Sequence, residues 1–163
     1  DPPRGWQKPR TEAPLTVKRL DDSGGDVVVD GTAGYAGVAR WTRSVRWTVG
    51  DLRIRDTVVL SPGEREVILF RWHLGDRTGV TVTADPAGGL VAAWSQATIR
   101  VTATGPITAE TRPMPDHTLR RRIHDGDHDD VDDEHVCLII RTIDPVPEIT
   151  LDTRITADRR PAG

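Results

Sequence analysis

The chain has 163 residues, a length that suits one domain with a single hydrophobic core. Its 22 basic and 25 acidic residues are largely interspersed and give a formal net charge of −3, so we expect neither nucleic acid nor a membrane as a partner. The single cysteine, Cys137, excludes an internal disulfide and a thiolate zinc cluster. The start at Asp1-Pro2-Pro3, without Met or a signal-peptide pattern, suggests a processed or trimmed piece.

In chain order, residues 1–14 are polar and Pro-rich, with Trp6 as the one anchor, which predicts an extended arm or linker. Residues 15–160 predict a folded domain. Short alternating runs separated by Gly and Pro turn signals indicate an all-β chain, a two-layer antiparallel β-sandwich of about ten strands. The strand candidates are 15–20, 26–30, 35–49, 52–60, 65–74, 79–84, 90–94, 97–104, 107–112, 136–143 and 148–156.

Alternation on both sides of Gly50-Asp51 predicts a hairpin with a two-residue turn. That register pairs Val45 with Asp56 and leaves Arg43 and Asp56 on the apolar face. A buried carboxylate needs a counter-charge, because an unpaired one loses several kcal/mol of hydration, by order of magnitude.

The next connection, 61–64, reads as a tight turn that pairs Leu60 with Arg65. It would bring the strand 65–74 beside the hairpin, with Arg71 and His73 on the face of Asp56. Because the other face is also apolar, this strand is predicted to be central and covered on both sides. Trp47 and Trp72 are then expected in the core.

Four segments follow one another as VVVDGTAGY (27–35), GVARWTRSVRW (37–47), LRIRDTVVL (52–60) and ILFRWHL (68–74). In this order they resemble the start of the C-terminal sandwich of heparinase II/III-type polysaccharide lyases. Members of that family cleave uronic-acid-containing polysaccharides by β-elimination, with most catalytic groups on a preceding α/α toroid. The resemblance implies an accessory domain that packs against such a toroid, an acidic polysaccharide as ligand, and an extracellular or periplasmic location.

Two departures from the family pattern affect the expected site. The family's sandwich His falls at Trp41, which argues against a catalytic role for this chain alone and leaves enzyme activity open. Trp41 and Tyr35 are instead expected to bind substrate. Of three zinc-ligand positions in the family, Asp56 and His73 match, but the first holds Arg43, which cannot bind a cation.

We therefore expect an ion-pair cluster of Arg43, Asp56 and Arg71 where relatives hold zinc. A zinc site at Asp56 and His73 is the less favoured alternative, since a His on an apolar strand is more often a hydrogen-bonded core residue than a ligand. No resident cofactor is expected.

The segment 124–135 is rich in Asp and His. Asp125, Asp127 and Asp129 form a possible cation loop for calcium, although their spacing does not match an EF-hand. A run of like charge is more often a solvated surface loop, so the segment is expected to be exposed. Besides the accessory domain, two functions stay open: a stand-alone carbohydrate-binding sandwich and a structural interaction module without sugar affinity.

Overall fold

The computed structural model describes residues 12–74, 79–94, 97–115 and 134–157. These contain eleven strands and one 3-10 turn, Thr32–Gly34. The strands are β1 Leu15–Asp21, β2 Gly24–Asp30, β3 Val38–Thr48, β4 Asp51–Leu60, β5 Leu69–Leu74, β6 Thr81–Ala84, β7 Leu90–Trp94, β8 Ala97–Ala103, β9 Ile107–Pro115, β10 Glu134–Thr142 and β11 Glu148–Ala157. Trp6 with most of the predicted arm, the cation loop Asp125, Asp127 and Asp129, and residues 158–160 of the predicted domain lie outside the described residues.

The strands form two antiparallel sheets, as the alternating sequence pattern predicts, and the predicted β-sandwich is confirmed. The large sheet has eight strands in the order β1-β2-β3-β4-β11-β8-β7-β6. The small sheet has three, in the order β5-β10-β9. No helix in the described part of the chain has the length and hydrophobicity needed to cross a membrane.

The core lies between the small sheet and the β4, β11, β8 and β7 part of the large sheet. Its most buried apolar side chains are Ile99, Leu138, Ile140 and Leu151, all at most 1% exposed. Complete burial of such a side chain contributes about 1.5–3 kcal/mol. This packing fixes an inner face on each sheet, and Asp56 and Val58 of β4 lie on the inner face of the large one.

The small sheet leaves the inner face of β1, β2 and β3 uncovered. On β1 the side chains of Leu15, Val17 and Leu20 are 58%, 53% and 70% exposed. Val27 and Val29 of β2 lie opposite Val17 and Leu15 and are half-buried. We call this apolar inner surface of β1, β2 and β3 the open half of the sandwich.

The β3–β4 hairpin has the predicted faces but not the predicted register. Thr48 pairs with Asp51, so the loop is Val49-Gly50 and Arg43 lies directly opposite Asp56. Gly50 has φ +81°, a left-handed conformation that favours Gly at the second loop position. The predicted turn at Gly50-Asp51, with Val45 opposite Asp56, is therefore wrong. The observed pairing is shifted by two residues, and an even shift leaves each side chain on its predicted face.

The predicted pairing of the third strand with the hairpin is also wrong. The turn at 61–64 forms, with the Glu64 amide donating to the Ser61 carbonyl over 3.0 Å, but the chain then crosses to the small sheet. There β5 is an edge strand paired with β10, not a central one. Its inner residues Phe70, Trp72 and Leu74 join the core or pack on it, whereas Leu69 on the outer face is 49% exposed.

Candidate functional site

A cleft of about 630 Å³ opens where the chain crosses from the large sheet to the small one. Tyr35, Trp41 and Arg43 contribute from the large-sheet side. The opposite wall comes from the connection 64–68 and the start of β5. Arg71, Glu64 and Glu66 also line it, so the cleft carries mixed charge.

The backbone of Trp41 is held by the turn that follows β2. The Thr32 hydroxyl accepts a hydrogen bond of 2.9 Å from the Trp41 amide, and the Gly31 amide donates one of 2.9 Å to the Trp41 carbonyl. The Trp41 ring lies against Gly31, in the space that a Cβ at that position would take. Asp30 accepts the Thr32 amide, and hydrogen bonds from the Thr32 side chain and backbone lower the pKa of Asp30. The tight turn therefore sets the position of the indole.

The carboxylate of Asp56 organises the floor of the cleft. Arg43 donates to it through Nε at 2.8 Å and Nη2 at 3.1 Å, and Trp41 donates through Nε1 at 3.2 Å. Asp56 is fully buried, while the Arg43 side chain is 34% exposed. A bidentate arginine satisfies both carboxylate oxygens, which is the arrangement that a buried carboxylate requires.

Two aromatic rings lie close to the guanidinium of Arg43. Cζ of Arg43 lies 5.6 Å from the ring centroid of Trp41 and 5.6 Å from that of Trp72, within cation–π range. Tyr35 meets Trp41 edge-on, with 5.1 Å between centroids. Among the residues that the structure describes, Nη1 of Arg43 and the buried Nε1 of Trp72 have no hydrogen-bond partner. The cleft thus presents ring surface beside a partly exposed guanidinium.

The structure brings Tyr35, Trp41, Arg43 and Asp56 together but separates them from two other predicted residues. Arg71 and His73 alternate with the inner residues of β5 and lie opposite Ile139 and Cys137 on the outer face of the small sheet. The predicted contacts of Asp56 with Arg71 and with His73 are therefore wrong, because β5 belongs to the other sheet. Arg71 nevertheless contributes to the lining of the cleft.

The same separation bears on metal binding. Asp56 faces the interior of the sandwich, whereas His73 is exposed on the outer face of the small sheet, so the two do not form a ligand pair. Within the four described ranges, no group of three or more His, Cys, Asp or Glu side chains is placed to hold an ion. Arg43 takes the place on Asp56 that a cation would need.

Sequence reasoning missed two partners of the cluster. Trp72 was expected in the core; it packs against the core, and its ring also lies within cation–π range of Arg43. Gly31 was not singled out, although the Trp41 ring packs directly against it. Its position directly after the strand-ending Asp30 was the available signal, since a Gly there permits close approach of a ring.

Comparison with known proteins finds likeness at the level of structure. No family model and no curated protein matches the chain. A solved structure of a heparinase III gene product is similar, with a TM-score of 0.53 and 11% sequence identity over 90% of this chain. The chain spans 22% of that structure's length. At this identity the likeness shows the fold alone, and any relation is distant.

Proposed function

We propose that this chain is the accessory β-sandwich of a heparinase II/III-like polysaccharide lyase and that its cleft binds a uronic-acid-containing polysaccharide. The observation that carries the proposal is the partly exposed side chain of Arg43, held by Asp56 and close to two indole rings. Sugar rings stack on flat aromatic surfaces, and a guanidinium binds carboxylates through paired N–H donors. Trp41 supplies the surface and Nη1 of Arg43 the donor.

The remaining polar groups of the cleft suit the rest of a sugar. Glu64 and Glu66 would accept hydrogen bonds from hydroxyl groups, while the uronate carboxylate is directed to Arg43 and away from them. The Trp41–Asp56 hydrogen bond fixes the indole before the ligand arrives, which lowers the entropy cost of binding.

The open half favours an accessory domain over a stand-alone binding module. Exposed apolar side chains on β1 and the half-buried valines of β2 form a contiguous apolar surface, which in a folded protein marks an interaction site. A toroid domain of the same parent protein is the partner that we propose for this surface. In that arrangement the chain alone has no lyase activity, since the toroid supplies the catalytic groups.

The test is calorimetric titration of the chain with uronate oligosaccharides. We expect binding that weakens about tenfold in Trp41→Ala, from the loss of a stacking surface worth about 1–2 kcal/mol. Trp47→Ala is the matched control, because Trp47 lies on the same strand and face but outside the cleft. Equal losses in both variants, or no binding by the wild-type chain, would contradict sugar binding and favour a purely structural module. Unsaturated uronate products formed by the chain alone would contradict the accessory role.

A further inference from the structure

Four arginines form a straight row on the outer face of the large sheet. Arg46 pairs with Arg53, Arg53 with Arg154, and Arg154 with Arg100. They therefore lie side by side on the adjacent strands β3, β4, β11 and β8. Since neighbouring strands are about 4.8 Å apart, the four Cα atoms span roughly 14 Å. We call these four residues the arginine row.

Sheet stability alone does not account for this row. Like charges directly opposite each other destabilise a sheet, and here three such pairs are consecutive. Aspartates offset part of the repulsion at the two ends of the row. Asp26 accepts a hydrogen bond from Arg46, and Asp85 accepts one from Arg100. Local rules of this kind are typically broken at functional sites.

The centre of the row carries the least compensation. Asp51 serves two arginines at once, accepting Nε of Arg53 at 3.0 Å and Nε of Arg154 at 2.7 Å. Chiefly because of the Arg154 hydrogen bond, the pKa of Asp51 is lowered, so it stays ionised at neutral pH. Three carboxylates thus face four guanidinium groups, which leaves one positive charge in surplus.

The row is open to a ligand. Its arginine side chains are 51–66% exposed and border a shallow trough of about 450 Å³. Within the described part of the chain, the Nη atoms of Arg53 and Arg154 have no hydrogen-bond partner. These are the paired donors with which a guanidinium binds planar anions.

The acidic net charge of the chain does not oppose this. At the row itself four guanidinium groups outnumber the three carboxylates that accept their hydrogen bonds, so the local charge favours an anionic ligand.

We propose that the arginine row binds a linear acidic polysaccharide, whose carboxylate or sulfate groups meet successive guanidinium groups across the strands. A flat face with evenly spaced guanidinium groups suits an extended chain with repeated anionic groups better than a compact ligand. The row lies on the face opposite the cleft, so this site stands independently of the proposed function.

The test measures retention of the chain on immobilised heparin, a sulfated polymer, and its affinity for polygalacturonate, a polymer with carboxylates only. Arg53→Gln with Arg154→Gln should weaken binding about tenfold and lower the salt concentration of elution. The matched control is Arg112→Gln with Arg141→Gln, which removes the same charge from exposed positions on the small sheet. Melting curves of both variants exclude loss of the fold.

Loss in the row variant with the control near wild type supports the proposal, and the polymer that is retained identifies the anionic group. Equal loss in both variants would mean attraction by net charge and would overturn it, as would failure of the wild-type chain to bind either polymer. Tighter binding of single-stranded DNA would reassign the row to nucleic acid. Made in a Trp41→Ala background, in which the cleft is weakened, the row substitutions should cause the same further loss, so failure of the cleft and failure of the row are separate results.

Discussion

Replacing Asp56 by Asn removes the charge on which the cleft is built. The carboxylate accepts three donors, at 2.8 and 3.1 Å from Arg43 and 3.2 Å from Trp41. An amide keeps one acceptor oxygen, and its NH₂ group then faces a donor of Arg43 or Trp41. Because the side chain of Asp56 is 0% exposed, water cannot take the place of the missing acceptor.

The expected cost follows from the unequal burial of the two partners. Removing one member of a buried ion pair costs about 3–5 kcal/mol. Arg43 is 34% exposed and recovers part of its hydration, so we expect the lower end, about 3 kcal/mol. For a chain of this length each kcal/mol lowers the melting temperature by roughly 2–4 °C, which gives a drop of about 6–12 °C.

Thermal and urea unfolding measure this loss, and a double-mutant cycle isolates the pair. Arg43→Met keeps an apolar side chain beside the indoles. The loss of unfolding free energy in the double variant should be about 2 kcal/mol smaller than the sum of the losses in the two single variants. Asp152→Asn is the control, because it breaks an exposed pair with Arg55 and should cost at most about 1 kcal/mol. If Asp56→Asn is as mild as this control, or if the cycle is additive, the ion pair does not hold the site together.

Three further outcomes follow from the same geometry. Gly31→Ala places a methyl group in the space of the Trp41 ring and should cost about 1–3 kcal/mol by urea unfolding, whereas Gly34→Ala, which meets open space, should stay within about 0.5 kcal/mol. Hydrogen bonds from Arg154 and Arg53 lower the pKa of Asp51, and hydrogen bonds from the Ala87 amide and Arg100 lower that of Asp85. This stabilisation is present above the ordinary value of 3.8 and is lost as the pH falls through the lower folded values. The melting temperature should therefore drop below about pH 3.8, and less steeply in Asp51→Asn. A chelator should leave the melting temperature of the wild-type chain unchanged, and a drop would indicate a metal that the Arg43 arrangement does not admit.

The faces of the hairpin could be predicted from sequence because alternation is a local property. Arg43 and Asp56 share a face in any register that keeps strand parity, so their proximity did not depend on locating the turn. The register did depend on locating the turn. Gly50 occupies the second loop position, not the first as predicted, and every observed pair therefore differs from the predicted one by two residues. Trp41 shares that face by the same alternation, whereas Tyr35 was singled out only by the family resemblance.

Positions on β5 could not be predicted in this way. Alternation separates Phe70 and Trp72 from Arg71 and His73, but it does not say which sheet the strand enters. That choice is made by the connection 65–68 and by pairing with β10, some seventy residues later in the chain. The arginine row was hidden for the same reason. Arg46 and Arg53 lie in one hairpin, whereas Arg154 joins them only through the pairing of β4 with β11.

The cleft lies at the boundary between the covered and the open halves of the sandwich. On β3, Trp41 packs on the core cluster and Arg43 touches Trp72 of the small sheet, while β1 beyond them exposes Leu15 and Val17. A domain docked on the open half would therefore border the cleft and extend it. Its catalytic groups would then stand beside the exposed edge of Arg43, where a bound uronate presents its carboxylate. In this proposed arrangement the sandwich would position the sugar and its partner would perform the chemistry, so loss of Trp41 should weaken sugar binding by the isolated chain.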